Sequence, residues 1–188
     1  MTTEKAPLPP YSYTVKRYQA DLSATAYLKH YRRAEYFIQF CRQCVNYNRR
    51  YGCPPFAEDP VSSIASFQNV RIIGVKIIPD EAKIPLKEAP ILMEPVTRVL
   101  NEELLELEQS LGGVAFGFVG LCPYCMGKPC ARIDGKPCRH PQKVRPSLEA
   151  IGFDMGKTAT ELLGLEIKWS HGDYIPEYLT LVCGVFYG

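Results

Sequence analysis

Eight cysteines stand in this 188-residue chain, and seven of them fall into two short stretches. The first holds Cys41-Arg-Gln-Cys44 and then Cys53 ahead of Pro54 and Pro55. The second holds Cys122-Pro-Tyr-Cys125, Cys130 and Cys138. A Cys-x2-Cys pair lets two thiolates face one metal while the intervening backbone amides turn toward the sulfurs; both tetrahedral zinc and iron–sulfur clusters use it. Two such pairs, each with further cysteines close behind, point to metal. The second stretch, C-x2-C-x4-C-x7-C, packs four thiolates into 17 residues and suits a four-cysteine cluster held by one loop. It differs from the bacterial ferredoxin run C-x2-C-x2-C-x3-C-P. The first stretch, C-x2-C-x8-C, offers three thiolates. A centre there either leaves one metal position open or borrows Cys183 or another ligand.

Zinc divides the same residues differently. Cys41 and Cys44 would join Cys122 and Cys125 in one site, leaving Cys53, Cys130 and Cys138 to form a second with His140. The iron–sulfur reading, with a 4Fe-4S cluster favoured, uses each loop more naturally, and zinc is the alternative. Arg42, Arg49 and Arg50 flank the first set; Lys128, Arg132, Lys136, Arg139, Lys143 and Arg145 flank the second. Four thiolates around zinc or an oxidised four-iron cluster leave net negative charge, which nearby cations stabilise. The plain alternative is a solvated basic loop. His140 is close enough to ligate, but such a histidine more often hydrogen-bonds a neighbouring backbone group or sulfur. Tyr47 and Tyr51 suit packing over the loops, His171 suits an exposed turn, and Cys183 suits a small buried core position. The glycines of Gly112 to Gly120 lack phosphate-loop or dinucleotide order, and no Gly-x-Ser-x-Gly elbow occurs.

The elements that must position these loops follow from periodicity and punctuation. Tyr11 to Gln19 alternates as an edge strand. Ser23 caps a short helix through Tyr27, Leu28 and Tyr31. A second helix, Ala34 to Phe40, runs straight into Cys41, and Cys41 to Pro60 reads as loop. Val70 to Ile78 is a buried strand. Pro95 opens a helix bearing Val96, Val99, Leu100, Leu104, Leu107 and Leu111, which Gly112-Gly113 stops. Val114 to Val119 is a strand and Gly120 to Arg145 a loop. Pro146 opens a short helix ending near Gly152, and Asp154 caps another that Gly164 stops. Leu165 to Trp169 and Leu179 to Tyr187 are two last strands. This order predicts an α+β fold: one domain with a mixed β-sheet of about four to five strands, helices packed on it, and two cysteine-rich metal-binding loops. Residues 1–10 read as a flexible lead-in and 11–188 as the domain.

Composition bounds the setting. The chain is 46% hydrophobic and 22% charged, with formal net charge +2. That charge counts against nucleic acid as a partner. No stretch is apolar enough for a membrane span, and Met1 to Ser12 lacks a secretory pattern. The expected setting is cytoplasmic, where thiols stay reduced and metal binding outranks disulfides.

Several longer motifs carry a resemblance: Cys41 to Tyr47, Cys53 to Phe56, Gly135 to Pro141, Arg145 to Ala150, and Pro176 to Val182. Together they look like a prokaryotic family of unknown function described as predicted metal-binding proteins, over about Tyr11 to Gly188. The resemblance implies metal binding by Cys41, Cys44, Cys53, Cys122, Cys125, Cys130 and Cys138, sets Cys183 aside, and supplies no reaction. Three functions fit: an iron–sulfur protein passing electrons to a redox partner protein, a zinc-stabilised binding module, or a metalloenzyme with an open site at Cys41, Cys44 and Cys53.

Overall fold

A computed structural model describes residues 11–118, 122–125 and 127–188. The lead-in 1–10 and Val119, the expected end of one strand, lie outside these. The strands are β1 (Tyr13–Ser23), β2 (Asn69–Pro79), β3 (Val114–Phe116) and β4 (Leu179–Tyr187); the helices are α1 (Ala24–Tyr31), α2 (Ala34–Gln43), α3 (Ala89–Leu111) and α4 (Met155–Leu163). The sheet order is β1-β2-β4-β3, and every strand pair is antiparallel.

The α+β class therefore holds, but the sheet is not mixed. The expected fifth strand, Leu165 to Trp169, makes no ladder. Leu165 instead buries its side chain against α4 and the sheet, while Trp169 is exposed. Apolar alternation there reflects a segment that packs Leu165 and Ile167 on the core, not a strand within the sheet.

Side-chain alternation along β2 and β4 separates two cores. Val70, Ile72, Val182 and Phe186 face α1 and α4. There Tyr27 stacks on Phe153 at 4.4 Å and its hydroxyl shares a 3.1 Å hydrogen bond with Thr158. On the other face Ile73, Val75, Ile77, Leu181, Cys183 and Val185 meet Leu92, Val96, Leu100 and Leu104 of α3. Each such burial contributes roughly 1.5–3 kcal/mol. Gly74 lets α4 close in, since a Cβ there would stand 2.6 Å from Leu163 Cδ1.

Helix ends follow their caps. The side chains of Ser23 and Asp154 accept from Ala26 N–H and Lys157 N–H, and Gly112 and Gly164 end α3 and α4 in the left-handed region. β1 runs on to Ser23 and β3 stops at Phe116, the helix expected from Pro146 is only the short turn Glu149–Ile151, and two α-helix boundaries also differ from the expectation. α3 starts at Ala89 with Pro90 in its first turn, so Pro95 lies inside it. α2 continues to Gln43, so Cys41 sits in its last turn and Cys44 is the residue that ends it.

Candidate metal centre

α2 presents the first two cysteines. It has no buried residue of its own, so its neighbours must hold it. Arg33 N–H donates to Gly152 O at 2.7 Å, Arg32 Nε donates to Ile151 O at 2.8 Å, and Arg32 bridges Phe153. Gly152 lies so near that a Cβ on it would be 2.5 Å from Ala34 Cα, and its φ of +93° also disfavours other residues. α2 is thereby fixed to the helical turn Glu149–Ile151.

Beyond α2 the chain turns back through Tyr47 to Cys53. Arg132, from the second cysteine stretch, holds this loop: its guanidinium donates to Arg50 O (2.8 Å), Cys53 O (2.7 Å) and Pro55 O (2.5 Å). Tyr51 answers from the first stretch, its hydroxyl donating to Lys136 O at 2.5 Å. The two cysteine stretches are thus laced together by backbone carbonyls.

The second stretch carries Cys122 and Cys125 around the turn Pro123–Cys125, and Cys130 just before the turn Ala131–Asp134. Its far end is anchored to α3. Arg145 donates from Nε (2.7 Å) and Nη2 (2.5 Å) to the Glu108 carboxylate, which also accepts Ala115 N–H at 2.7 Å. Burial pushes the Glu108 carboxyl up, but Arg145 and the Ala115 amide together bring it below its ordinary value.

All seven predicted ligands, Cys41, Cys44, Cys53, Cys122, Cys125, Cys130 and Cys138, line one cavity of about 1080 Å³. Cys183 does not. It lies fully buried under α3, its thiol 3.7 Å from Ile73 O. All eight cysteines are free thiols. The seven surround a space, not a point: among the described residues no three His, Cys, Asp or Glu side chains converge tightly enough to hold one metal ion.

Backbone amides turn toward the sulfurs. Asn46 N–H reaches Cys44 Sγ at 3.5 Å and His140 N–H reaches Cys138 Sγ at 3.4 Å, and the Tyr124 amide bonds to Cys122. Arg139 Nη1 also lies 3.5 Å from Cys125 Sγ. Such donors stabilise thiolate over thiol. His140 lines the cavity too, its ring 6.2 Å from that of Tyr124.

Thiols neighbour one another within each stretch. Burial, then Cys44 and Glu149, push the Cys41 thiol up. Burial and Cys44 do the same for Cys53, while Arg50 and Arg132 act against them. Cys122 is raised by burial and by Cys125, Cys138 and Cys130, against its amide bond. A bound cation reverses this balance, because the ligand is then thiolate. In donor chemistry the cavity fits a metal centre: seven thiols, amide donors and a cationic wall containing Arg42, Arg49, Arg50, Lys128, Lys143 and Arg145.

The two cysteine-bearing segments bury little else. Within residues 41–60 and 122–145, only Pro54 and Ala131 are buried among the described positions. Two residues important here carried no signal of their own in the sequence. Arg132 was one basic residue among many, and its partners are carbonyls, which no side-chain pattern marks. Glu149 sits in the conspicuous Arg145 to Ala150 motif, yet spacing alone does not link it to Cys41.

A small α+β domain with seven thiols on one cavity wall defines a cysteine-rich metal-binding class of protein. The chain matches the family described as "Predicted metal-binding protein (DUF2284)" over residues 27–186, and it belongs to that family. No curated protein and no solved structure matches it. Among the described residues no helix is long and apolar enough to cross a membrane.

Proposed function

We propose that this protein is an iron–sulfur protein that passes electrons to a partner protein in the reducing cytoplasm. Cys122, Cys125, Cys130 and Cys138 hold one 4Fe-4S cluster, and Cys41, Cys44 and Cys53 hold a second centre. The observation that carries this reading is the ring of seven thiols around one cavity of about 1080 Å³. Around a single zinc, with Zn–S bonds of about 2.3 Å, tetrahedral thiolates crowd to within about 4 Å of each other. A cluster interposes iron and sulfide atoms, so its ligands stand farther apart and enclose a volume. When bound, such a cluster accepts and returns one electron.

The protein's own groups suit that role. Amides on Cys44, Cys122 and Cys138 and the Arg139 guanidinium near Cys125 disperse thiolate charge. Hydrogen bonds to the sulfurs and the surrounding polarity are the levers that set a cluster's potential. Cys44 and Cys122 reach the surface, which suits transfer to a docked partner.

Anaerobic purification tests the reading. We expect a brown protein carrying iron and acid-labile sulfide, bleached by reductant. A colourless preparation with stoichiometric zinc and neither iron nor sulfide overturns it in favour of a zinc-stabilised module.

A further inference from the structure

α2 is amphipathic, yet none of its residues is buried. Tyr36, Phe37 and Phe40 lie ring against ring near the surface, with centroids 5.1 Å, 5.3 Å and 6.3 Å apart. Tyr36 is 45% exposed, Phe40 55% and the nearby Val45 82%. Single exposed apolar residues need no explanation, but several in contact mark an interaction site. The cluster also adjoins the candidate centre. Phe37 precedes Cys41 by four residues and Phe40 precedes Cys44 by four, so each ring lies about one turn before a thiol. Cys44 is exposed, and Val45 beside it lines the cavity.

Charge and size decide what this patch fits. Residues 33–50 carry Arg33, Arg42, Arg49 and Arg50 against Glu35, a net +3. Residues 122–145 carry six lysines and arginines against Asp134, a net +5. Together they hold +8 in a chain whose formal charge is +2, which leaves −6 for the rest. The cysteine-bearing segments are therefore a basic pole. A negatively charged centre offsets part of that charge from inside, while Arg33 holds its guanidinium 4.4 Å over the Tyr36 ring at the patch itself. A second copy docked here would set this pole against its own like, which is unfavourable. The patch is also small for a permanent dimer. An aromatic side chain buries about 150–250 Å² when fully covered, so three partly exposed rings offer roughly 300 Å². A standard interface takes about 800 Å² from each partner, and weak electron-transfer encounters lie at the small end of the range.

Resting on the iron–sulfur reading above, we infer that the face of α2 formed by Tyr36, Phe37 and Phe40, with Val45, is the docking surface for an acidic one-electron carrier protein. The rings supply a small apolar centre, and the arginines steer an acidic rim toward it. Cys44 brings the centre held by Cys41, Cys44 and Cys53 to the contact. One electron leaves that reduced centre and reduces the carrier's one-electron acceptor; no bond is made or broken and no proton moves.

Stopped-flow oxidation of the full chain, prepared anaerobically, reduced and freed of excess reductant, tests this. One probe is cytochrome c, which is basic. The other is the same cytochrome with its lysines succinylated, which is acidic. In each, one electron converts ferric to ferrous haem. Wild type should reduce the acidic form about tenfold faster than the basic one at low salt, with the gap closing as salt screens the charges. The double variant Tyr36→Ala/Phe40→Ala should slow reduction of the acidic form about tenfold, the scale of an interface anchor. Arg33→Glu should slow it about threefold, as a rim charge does. Iron, sulfide and EPR spectrum should match wild type in both. A double variant that reduces the acidic probe at the wild-type rate overturns the inference, as does a wild type that prefers the basic probe. If the double variant loses iron, Arg33→Glu carries the test alone, and a wild-type rate there overturns the inference. A chain that sediments as a dimer, and that Phe40→Glu makes monomeric, assigns the patch to a second copy and overturns it too. Wild-type protein without iron or sulfide instead overturns the cluster reading; a loaded protein indifferent to these substitutions overturns only the docking surface.

Discussion

At the scale of single residues, the candidate centre depends on a side chain that ligates nothing. Arg132 spreads its donors over Arg50 O, Cys53 O and Pro55 O, three carbonyls of the other cysteine stretch. A guanidinium reaches all three because its N–H groups form a rigid planar fork, which the single ammonium of lysine cannot reproduce. Hydrogen bonds with a charged partner are worth about 1.5–3 kcal/mol each when buried, and the partial exposure here reduces that. We expect Arg132→Ala to cost about 2 kcal/mol in urea unfolding and to weaken metal retention. Arg132→Lys should recover less than half of either loss. Unchanged urea midpoints and metal content would remove Arg132 from its place as the clamp. The ligand cysteines themselves were legible from spacing, since Cys-x2-Cys is a local pattern that reports local geometry. Arg132 was not, because its partners lie up to 82 residues away and are backbone atoms.

Elements were legible where their signals are local. Ser23, Asp154, Gly112 and Gly164 announced four helix ends, and all four act as read. What escaped depended on distant packing. α2 outlasts Phe40 because nothing in Cys41-Arg-Gln breaks a helix. Leu165 to Trp169 fails as a strand because Leu165 and Ile167 pack onto the core on the α1 and α4 side of the sheet and do not pair with β1 or β3. The long α3 lines the cavity with Asn101 and anchors the second cysteine stretch through Glu108, which bonds to Arg145 and to Ala115 in β3. That pair fixes the exit of the second cysteine stretch onto the sheet, and both side chains are mostly shielded from water. The folded carboxyl titrates below its ordinary value of 4.5. Its stabilisation is therefore fully present above about pH 4.5 and is lost as pH falls through the lower folded value. We expect Glu108→Gln to cost about 1–2 kcal/mol at neutral pH, between surface and buried ion pairs. The gap between wild type and variant should close on acidification to pH 3. A gap that stays constant from pH 7 to pH 3 would show that the charge contributes nothing.

Considered as a whole, the molecule has two regions that are stabilised differently. The sheet with α1, α3 and α4 encloses two apolar cores that include almost every buried large side chain. Residues 41–60 and 122–145 bury only Pro54 and Ala131 among their described positions. Ordering a residue costs roughly 1–2 kcal/mol of backbone entropy. The clamp of Arg132, the Tyr51 to Lys136 hydrogen bond and the Arg145 to Glu108 pair recover part of that. They are too few to recover it for two such long segments. Small regions without a core are ordinarily completed by a metal, and metal binding there is folding free energy. The cores on either side of the sheet need no such help. Removing metal under reducing conditions should therefore loosen the cysteine stretches while the sheet stays folded. In hydrogen exchange we expect amides within 41–60 and 122–145 to lose protection, with those of β2, β4 and α3 near their metal-loaded values. Loss of protection throughout would mean that the metal holds the entire fold, as in a zinc finger. No change anywhere would mean that side-chain lacing alone orders the loops, and that the thiols around the cavity have no structural need of a metal.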